Sequence, residues 1–570
     1  MAKRKRKKKQ AWIPVLVAIA LIILIGGGAL GSLFLSKYSY SDEKMNLEKY
    51  YNIEKADEVA IVLHNEHIET KAKLSQGVYY LDFASIQDLL NDRFYHDEVE
   101  GLVLYTTPTQ IIRTAVGSDV YTIGDETVNA GYVTSFYEDE MLYVALDYVR
   151  NYTNFSYEPF TSPHRMQLTT KWDETTTADV KKNTQIRYRG GVKSDILREV
   201  KKGETVTVLE EMENWTKVKT SDAFIGYVPS RTLKNMETFV PNVEPNYVEP
   251  EYTSLTRDYK INLGWHQVMS TAANDTLESA VMANSGLNVI SPTWFSLKST
   301  NGDIRSIATQ SYVDRAHNMG MEVWALIDNF DKDVSTYQTL SKTTSRTNLI
   351  RNLMNEVLEY DIDGINVDFE EVSYDAGEPF VQFIRELSIE CRKEGIVLSI
   401  DNYVPRASTA HYDREEQGIV ADYVIIMGYD EHWGGGGIAG SVASLGFVED
   451  GIIQTLEDVP ANKIINAVPF YTRVWMTNGD KVTSEALDME TANSFIERNN
   501  LTMTWNAVVG QNYGEIQKGN TLYQIWMEDK DSIQSKLAVM RKYNIGGVAA
   551  WKLGYETPDI WDVIATYMNS

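Results

Sequence analysis

From residue 258 onward, short apolar runs of strand length alternate with stretches whose apolar residues return every three or four positions. The runs are INLGWHQV (261–268), LNVISPTWFSL (287–297), EVWALIDN (322–329), DGINVDFE (363–370), IVLSIDNYV (396–404), ADYVIIMGYD (421–430), IINAVPFYTRVW (464–475) and GGVAAWKLGYE (546–556). A helical stripe such as Leu349, Ile350, Leu353, Met354, Val357 and Leu358 separates the third run from the fourth. Eight such units predict an α/β chain region over 257–570 folded as a (β/α)8 TIM barrel. The gap 476–530 is too long for a loop. It carries its own patterned segments, ETANSFIERNN and NTLYQIWMED, and predicts an α+β insertion between strands 7 and 8, walling one side of a cleft.

Upstream the pattern changes. Residues 179–236 hold five short alternating runs, including QIRYRG, ETVTVLEE, NWTKVKT and FIGYVPS, at the spacing of a small all-β barrel. Pro241, Pro245 and Pro250 among acidic residues mark 237–256 as an extended linker. Residues 38–165 mix short strands such as VAIVL and VYYLDF with turn residues and predict a mixed α/β stalk domain. Residues 12–35 lack any charge and, at about 1.5 Å per helical residue, would reach roughly 36 Å, enough for a transmembrane helix. Residues 1–11 carry the run KRKRKKK, which the positive-inside rule keeps cytoplasmic, so the remainder is expected outside the membrane as a single-pass protein. A cleaved signal peptide shares the charged start, but the apolar run is long for one and lacks an A-x-A site.

With 43% hydrophobic and 24% charged residues, the composition is globular. The 80 acidic against 54 basic side chains give a net charge of −26, and seven of the cations lie in residues 3–9, so the rest repels nucleic acid. The single cysteine, Cys391, excludes an intrachain disulfide. It falls on a helical stripe with Phe380, Phe383, Ile384 and Leu387 and reads as a buried structural thiol. His64 and His67 form an HxxH pair in a strand-and-turn segment and read as solvated side chains. No metal or cofactor is expected, and the oligomeric state is open.

The chemistry concentrates where strands end, since the carboxyl ends carry function in this architecture. Trp294, Asp328, Asp368, Glu370, Asn402, Tyr429, Asp430, Tyr471, Arg473, Trp551 and Glu556 all fall there. Asn366, Asp368 and Glu370 are spaced by two and so share one side of their strand. Two close carboxylates cannot both ionise easily; one pKa rises, and Glu370 at the strand end can then hold a proton while Asp368 stays charged. Acidic residues there also suit a solvated patch or a magnesium site. The run Gly434 to Gly437 lacks the lysine of a phosphate loop and reads as a flexible loop.

The segment Asp363-Gly364-Ile365-Asn366-Val367-Asp368-Phe369-Glu370 resembles the DGxDxDxE motif of family 18 glycoside hydrolases, with Asn366 in place of an acid. That departure is similar to the family's peptidoglycan-directed branch, which includes spore cortex-lytic N-acetylglucosaminidases. Met427-Gly428-Tyr429-Asp430 resembles the family's sixth-strand M-x-Y-D, Val468-Pro469-Phe470-Tyr471 its seventh-strand segment, and Trp551 its eighth-strand tryptophan. The resemblance implies substrate-assisted retaining hydrolysis by Glu370, Asp368 and Tyr429. Asn366 would hold Asp368 by an amide hydrogen bond, and Asp363, Asn366, Asn402, Asp430, Tyr471 and Trp551 would bind substrate. Trp551 would form the floor of the sugar site, while Trp294, Trp433 and Trp526 would flank it or simply pack. Peptidoglycan is the expected partner; chitin or a glycoprotein glycan, and an inactive glycan-binding barrel, are the alternatives. Residues 179–236, through Ile186, Arg187, Gly203, Trp215 and Gly226-Tyr227-Val228, resemble bacterial SH3-like domains, which bind cell-wall peptide or act as spacers. Residues 38–165 distantly resemble the stalk module named after the amino-terminal domain of copper amine oxidases.

Overall fold

The computed structural model describes residues 12–282 and 286–569; the basic run of residues 3–9 lies outside the described residues. Two compact units are present: one comprises the chain up to Asp92 with Ala130–Glu249, the other Arg93–Asn129 with Pro250 onward.

In the first unit, a helix covers Trp12–Tyr38, 27 residues, in which described side chains run unbroken only to Gly28. Among the described residues, no helix is long and apolar enough to cross a membrane. A seven-stranded sheet follows, drawn from Glu58–Thr169, and a second seven-stranded sheet, drawn from Thr175–Phe239, forms the small all-β domain. Tyr51 joins the two: its ring lies 5.3 Å from that of His67 on the first sheet and 5.7 Å from that of Phe224 in the second domain, and its hydroxyl donates to the Ala223 carbonyl at 2.9 Å. His67 bonds the Tyr50 hydroxyl at 2.7 Å and His64 bonds the Thr170 hydroxyl at 3.1 Å. His67 is exposed, as expected of a solvated side chain, whereas His64 is half-buried.

The second unit is built on eight parallel strands: Ile261–His266, Val289–Leu297, Glu322–Asp328, Gly364–Asp368, Val397–Tyr403, Tyr423–Met427, Ile464–Pro469 and Gly547–Trp551. Each pairs with the next, and the first pairs with both the second and the eighth, which closes the barrel. Alternation along each strand sends residues such as Ile365, Val367 and Phe369 outward to the helices and Trp265, Trp324, Leu326 and Ile425 into the lumen. Cys391 is buried in the outer shell, as its stripe predicts. The stripe before the fourth strand is buried through Val357, but Leu358 is 56% exposed.

The expected seventh run is two strands. Ile464–Pro469 belongs to the barrel, with the Phe470 amide still donating to the Trp551 carbonyl at 2.7 Å, whereas Tyr471–Asn478 pairs antiparallel within the insertion. The insertion is a five-stranded sheet with one helix, Met489–Asn499, so its α+β character follows the pattern. The end of the expected linker is not free: Leu255 and Arg257 donate backbone N–H groups to Asp422 (2.6 Å) and the Tyr423 hydroxyl (2.7 Å) at the barrel's amino end.

The stretch expected as one stalk domain over 38–165 is divided. Its Tyr95–Asn129 portion forms a five-stranded antiparallel meander that belongs with the barrel unit. Buried polar contacts dock it on the barrel helices. Asp97 accepts from the Thr343 amide and hydroxyl, both at 2.6 Å, and Arg93 and Arg385 both lean on Glu416 Oε1 at 3.0 and 2.8 Å. Burial alone would raise the Glu416 pKa, but the two guanidinium groups outweigh it and hold the carboxyl below its usual range. Removing one member of a buried charge network strands the others and costs about 3–5 kcal/mol. Glu416→Ala is therefore expected to lower stability by about that amount. Because the folded-state pKa is depressed, this stabilisation is complete above the ordinary glutamate value and fades as pH falls through the folded one. Thermal unfolding across a pH series checks both effects: the barrel-unit transition should drop in the variant, and its acid-side slope should flatten.

Candidate active site

The fourth strand sets the site. A side chain at Gly364 would meet the Trp324 indole at 2.6 Å, so glycine here lets that ring fill the lumen below. Above it Asn366, then Asp368, point inward, and Phe369 turns outward to stack on Phe383 at 5.7 Å. Past the strand end, the Asn329 side chain accepts from the Glu370 amide at 2.9 Å and donates to its carbonyl at 2.8 Å. This two-point clamp fixes the Glu370 backbone where no strand ladder does. The Tyr403 hydroxyl then donates to Glu370 Oε2 at 2.7 Å.

Asp368 and Glu370 line a pocket of about 180 Å³ with Trp265, Phe330, Asp401, Tyr403, Met427, Tyr429, Asp430, Tyr471 and Trp551. Burial raises the Glu370 pKa, the Tyr403 hydrogen bond lowers it, and the nearby Asp430 and Glu371 add to the rise; the net direction is upward. Asp368 is pushed up strongly, by burial first and then by Asp401, Glu370 and Asp328. The expectation that only one carboxyl rises while Asp368 stays charged is corrected: burial acts on both, and a third acid, Asp401, adds to the repulsion. Asp368 Oδ1 is buried without a hydrogen-bond partner in the protein, while the residue as a whole, 7% exposed, lines the pocket.

Tyr429, Asp430, Tyr471 and Trp551 all reach this pocket. The Tyr471 hydroxyl donates to Asp430 Oδ1 at 2.7 Å, and the Tyr429 and Tyr471 rings meet edge to face at 6.3 Å. Gly428 precedes Tyr429 because a side chain there would meet the Ala467 carbonyl at 2.7 Å. Trp551 tilts against Trp265 at 6.0 Å and also lines an adjoining cavity of about 430 Å³, together with Asp328, Arg305 and Lys298.

Three expected site residues do something else. Asp363 sits at the amino end of the fourth strand, where it accepts from His317 and from the Val323 amide, each at 2.8 Å. Five residues of strand place it about 16 Å from Asp368, at the opposite end of the barrel. Asn402 points out of the barrel and bonds Gln417 at 2.7 Å, since the inward set on that strand is Ser399, Asp401 and Tyr403. Asn366 is inward but does not hold Asp368: its amide donates to Ser399 and Asp401 and accepts from Trp265 and Ser291. Of the tryptophans, Trp294 is buried in the outer core on Asn274 at 2.8 Å. Trp526 packs on Tyr513 in the insertion at 4.7 Å, and Trp433 is 55% exposed. Arg473 bonds Ser484, and Glu556 caps the Gly554 amide, both away from the pocket. The residues the pattern left unclaimed, Asp401 and Tyr403, follow from period-two alternation once Ser399 is placed inward.

The pocket combines a proton-holding carboxyl, a second carboxyl, a phenol and an indole wall. That set suits protonation of a leaving oxygen beside a developing cation. Among the described residues no three His, Cys, Asp or Glu side chains are grouped to hold a metal ion.

Comparison with known proteins agrees with this geometry. Residues 182–234 match the bacterial SH3 domain. The chain is 26% identical over 292 residues to the uncharacterized glycosylase YvbX of Bacillus subtilis, covering 49% of this chain and 84% of that one. It is 27% identical over 234 residues to the cortical fragment-lytic enzyme of the same organism, covering 38% of this chain and 54%, about half, of that relative. The solved spore cortex-lytic enzyme SleL of Bacillus cereus shares the fold, with a TM-score of 0.50 at 22% identity over 57% of this chain and 78% of that one. Residues 263–556, just over half the chain and spanning every strand of the barrel, match the glycosyl hydrolases family 18; the chain is a glycoside hydrolase belonging to that family.

Proposed function

We propose that the protein is a membrane-tethered endo-β-N-acetylglucosaminidase that cleaves β-1,4 bonds in cell-wall peptidoglycan outside the membrane, with retention. The observation that carries the reading is the pair of carboxyl groups, buried Asp368 and half-buried Glu370, in one Trp551-walled pocket. Glu370 donates its proton to the glycosidic oxygen as the C1–O bond breaks, and the sugar's own acetamide carbonyl oxygen bonds to C1. Asp368 accepts the acetamide N–H, and Tyr429 and the newly formed Glu370 carboxylate balance the oxazolinium charge. Water then attacks C1, giving a proton to Glu370, as the bond between C1 and the acetamide oxygen breaks and the N-acetyl group is restored on the sugar.

Peptidoglycan is favoured over chitin by the relatives named for spore cortex, by Asn366 in place of an acid, and by the SH3 domain ahead of the barrel. The membrane placement rests on the uncharged stretch 12–35 and on a backbone helix of 27 residues, about 40 Å long at 1.5 Å per residue.

Glu370→Gln is expected to lower kcat by about 10²–10⁴-fold with KM little changed, because general acid catalysis is worth that factor; steady-state kinetics on peptidoglycan fragments checks it. Mass spectrometry of digested wall should show new reducing N-acetylglucosamine ends. New reducing N-acetylmuramic acid ends, or faster turnover of chitin oligomers, would contradict the substrate. After alkaline carbonate washing the full chain should remain in the membrane pellet, and a released chain beginning near residue 36 would contradict the anchor.

A further inference from the structure

The second barrel strand, Val289–Leu297, is the longest of the eight at nine residues. Past a bulge between Thr293 and Phe295 it pairs with the third strand on one side and, antiparallel, with the short strand Ile304–Ser306 on the other. The register sets one row across four strands: Arg305 opposite Ser296, Ser296 opposite Asp328, and Asp328 opposite Asp368. Paired residues present their side chains on the same face. At about 4.8 Å per strand step, the row brings Arg305 within roughly 14 Å of Asp368.

Lys298 joins Arg305 in lining the cavity of about 430 Å³, which shares Asp368, Phe330 and Trp551 with the catalytic pocket. The two form one trough with uneven charge. Among the described residues no lysine or arginine lines the catalytic pocket, whereas the adjoining cavity has these two. Among the described residues, neither cation's side chain makes a hydrogen bond or ion pair within the protein. The acids beside them bond their own loop: Asp328 accepts from the Phe330 amide and Asp331 from the Asp333 amide, each at 3.0 Å. In a chain of net charge −26, an anionic ligand is accepted only where cations offset the repulsion.

We infer that Arg305 and Lys298 form a subsite for a carboxylate carried on the sugar unit next to the cleaved N-acetylglucosamine, and so set the choice between acidic and neutral glycans. The inference deepens the proposed function and rests on it for the identity of the polymer. In peptidoglycan each N-acetylglucosamine neighbours N-acetylmuramic acid, whose lactyl group ends in a carboxyl group, free on bare strands and extended by a carboxyl-bearing peptide on substituted ones. Chitin has neither.

The test uses the full-length protein and bare glycan strands whose lactyl carboxyl groups are intact or converted to neutral carboxamides. Wild type should cut the intact strands with the higher kcat/KM. Because both cations are exposed, Lys298→Gln with Arg305→Gln should shrink that ratio by about 5–30-fold through KM, and raised salt should shrink it in wild type. A second arm removes catalysis: Glu370→Gln should bind intact fragments more tightly than carboxamide ones, and the two cation substitutions should abolish the difference. Equal losses on both kinds of strand, or a preference that survives the substitutions, would overturn the subsite. Peptide-bearing strands, intact or amidated, separate the two carboxylate sources. A loss of discrimination confined to bare strands assigns the lactyl group and one confined to peptide-bearing strands assigns the peptide, and either supports the subsite. If no strand is cut but Glu370→Gln still discriminates through the two cations, the substrate reading fails and the subsite stands.

Discussion

The structure depends on keeping several carboxyl groups out of water in one small cavity. A buried carboxylate is costly unless it is paired or hydrogen-bonded, and this pocket brings Asp368, Glu370 and Asp401 together with no guanidinium or ammonium among their hydrogen bonds. The cost falls as retained protons, which is the form in which a glycosidase needs its acid. Elsewhere in the same unit, buried acids are neutralised by cations, as Glu416 is by Arg93 and Arg385 and Glu386 is by Arg346 at 3.0 Å. The contrast separates the polar interior that stabilises the fold from the polar interior that performs chemistry.

Holding such a pocket open requires a rigid base. The lumen beneath it is filled by Trp265, Trp324, Leu326 and Ile425, and Gly364 and Gly428 leave room for a ring and a carbonyl that any larger residue would displace. Trp265 belongs to both levels, packing in the lumen while its indole N–H fixes Asn366. The lumen core thus orients the amide, the amide orients Asp401, and the acids above sit at set positions. Tyr471 at the head of the insertion sheet closes the wall, so the insertion contributes to the site as well as to the shape of the cleft.

Much of this was legible in the chain. Long apolar runs with period-two alternation gave the eight strands, and spacing by two put Asn366, Asp368 and Glu370 on one side. What the pattern could not show depends on neighbours distant in sequence. Nothing local marks Tyr95–Asn129 as the barrel's partner, because its contacts, such as Asp97 with Thr343, lie about 250 residues away. Asp363 and Asn402 were misplaced for a simpler reason: a motif gives residue types in order, but strand rise and facing decide which end and which side each one reaches. Applied strictly to the fifth strand, the same alternation points to Asp401 and Tyr403 and away from Asn402.

In the proposed mechanism the substrate's acetamide, oriented by Asp368, takes the place of an enzyme nucleophile on one face while Glu370 serves the other. The most direct measurement is proton NMR of the reducing ends at the earliest times of wall digestion, before mutarotation. Under that mechanism the first sugars released are β-anomers. Initial release of α-anomers would mean that water attacks directly from the opposite face, and would contradict it.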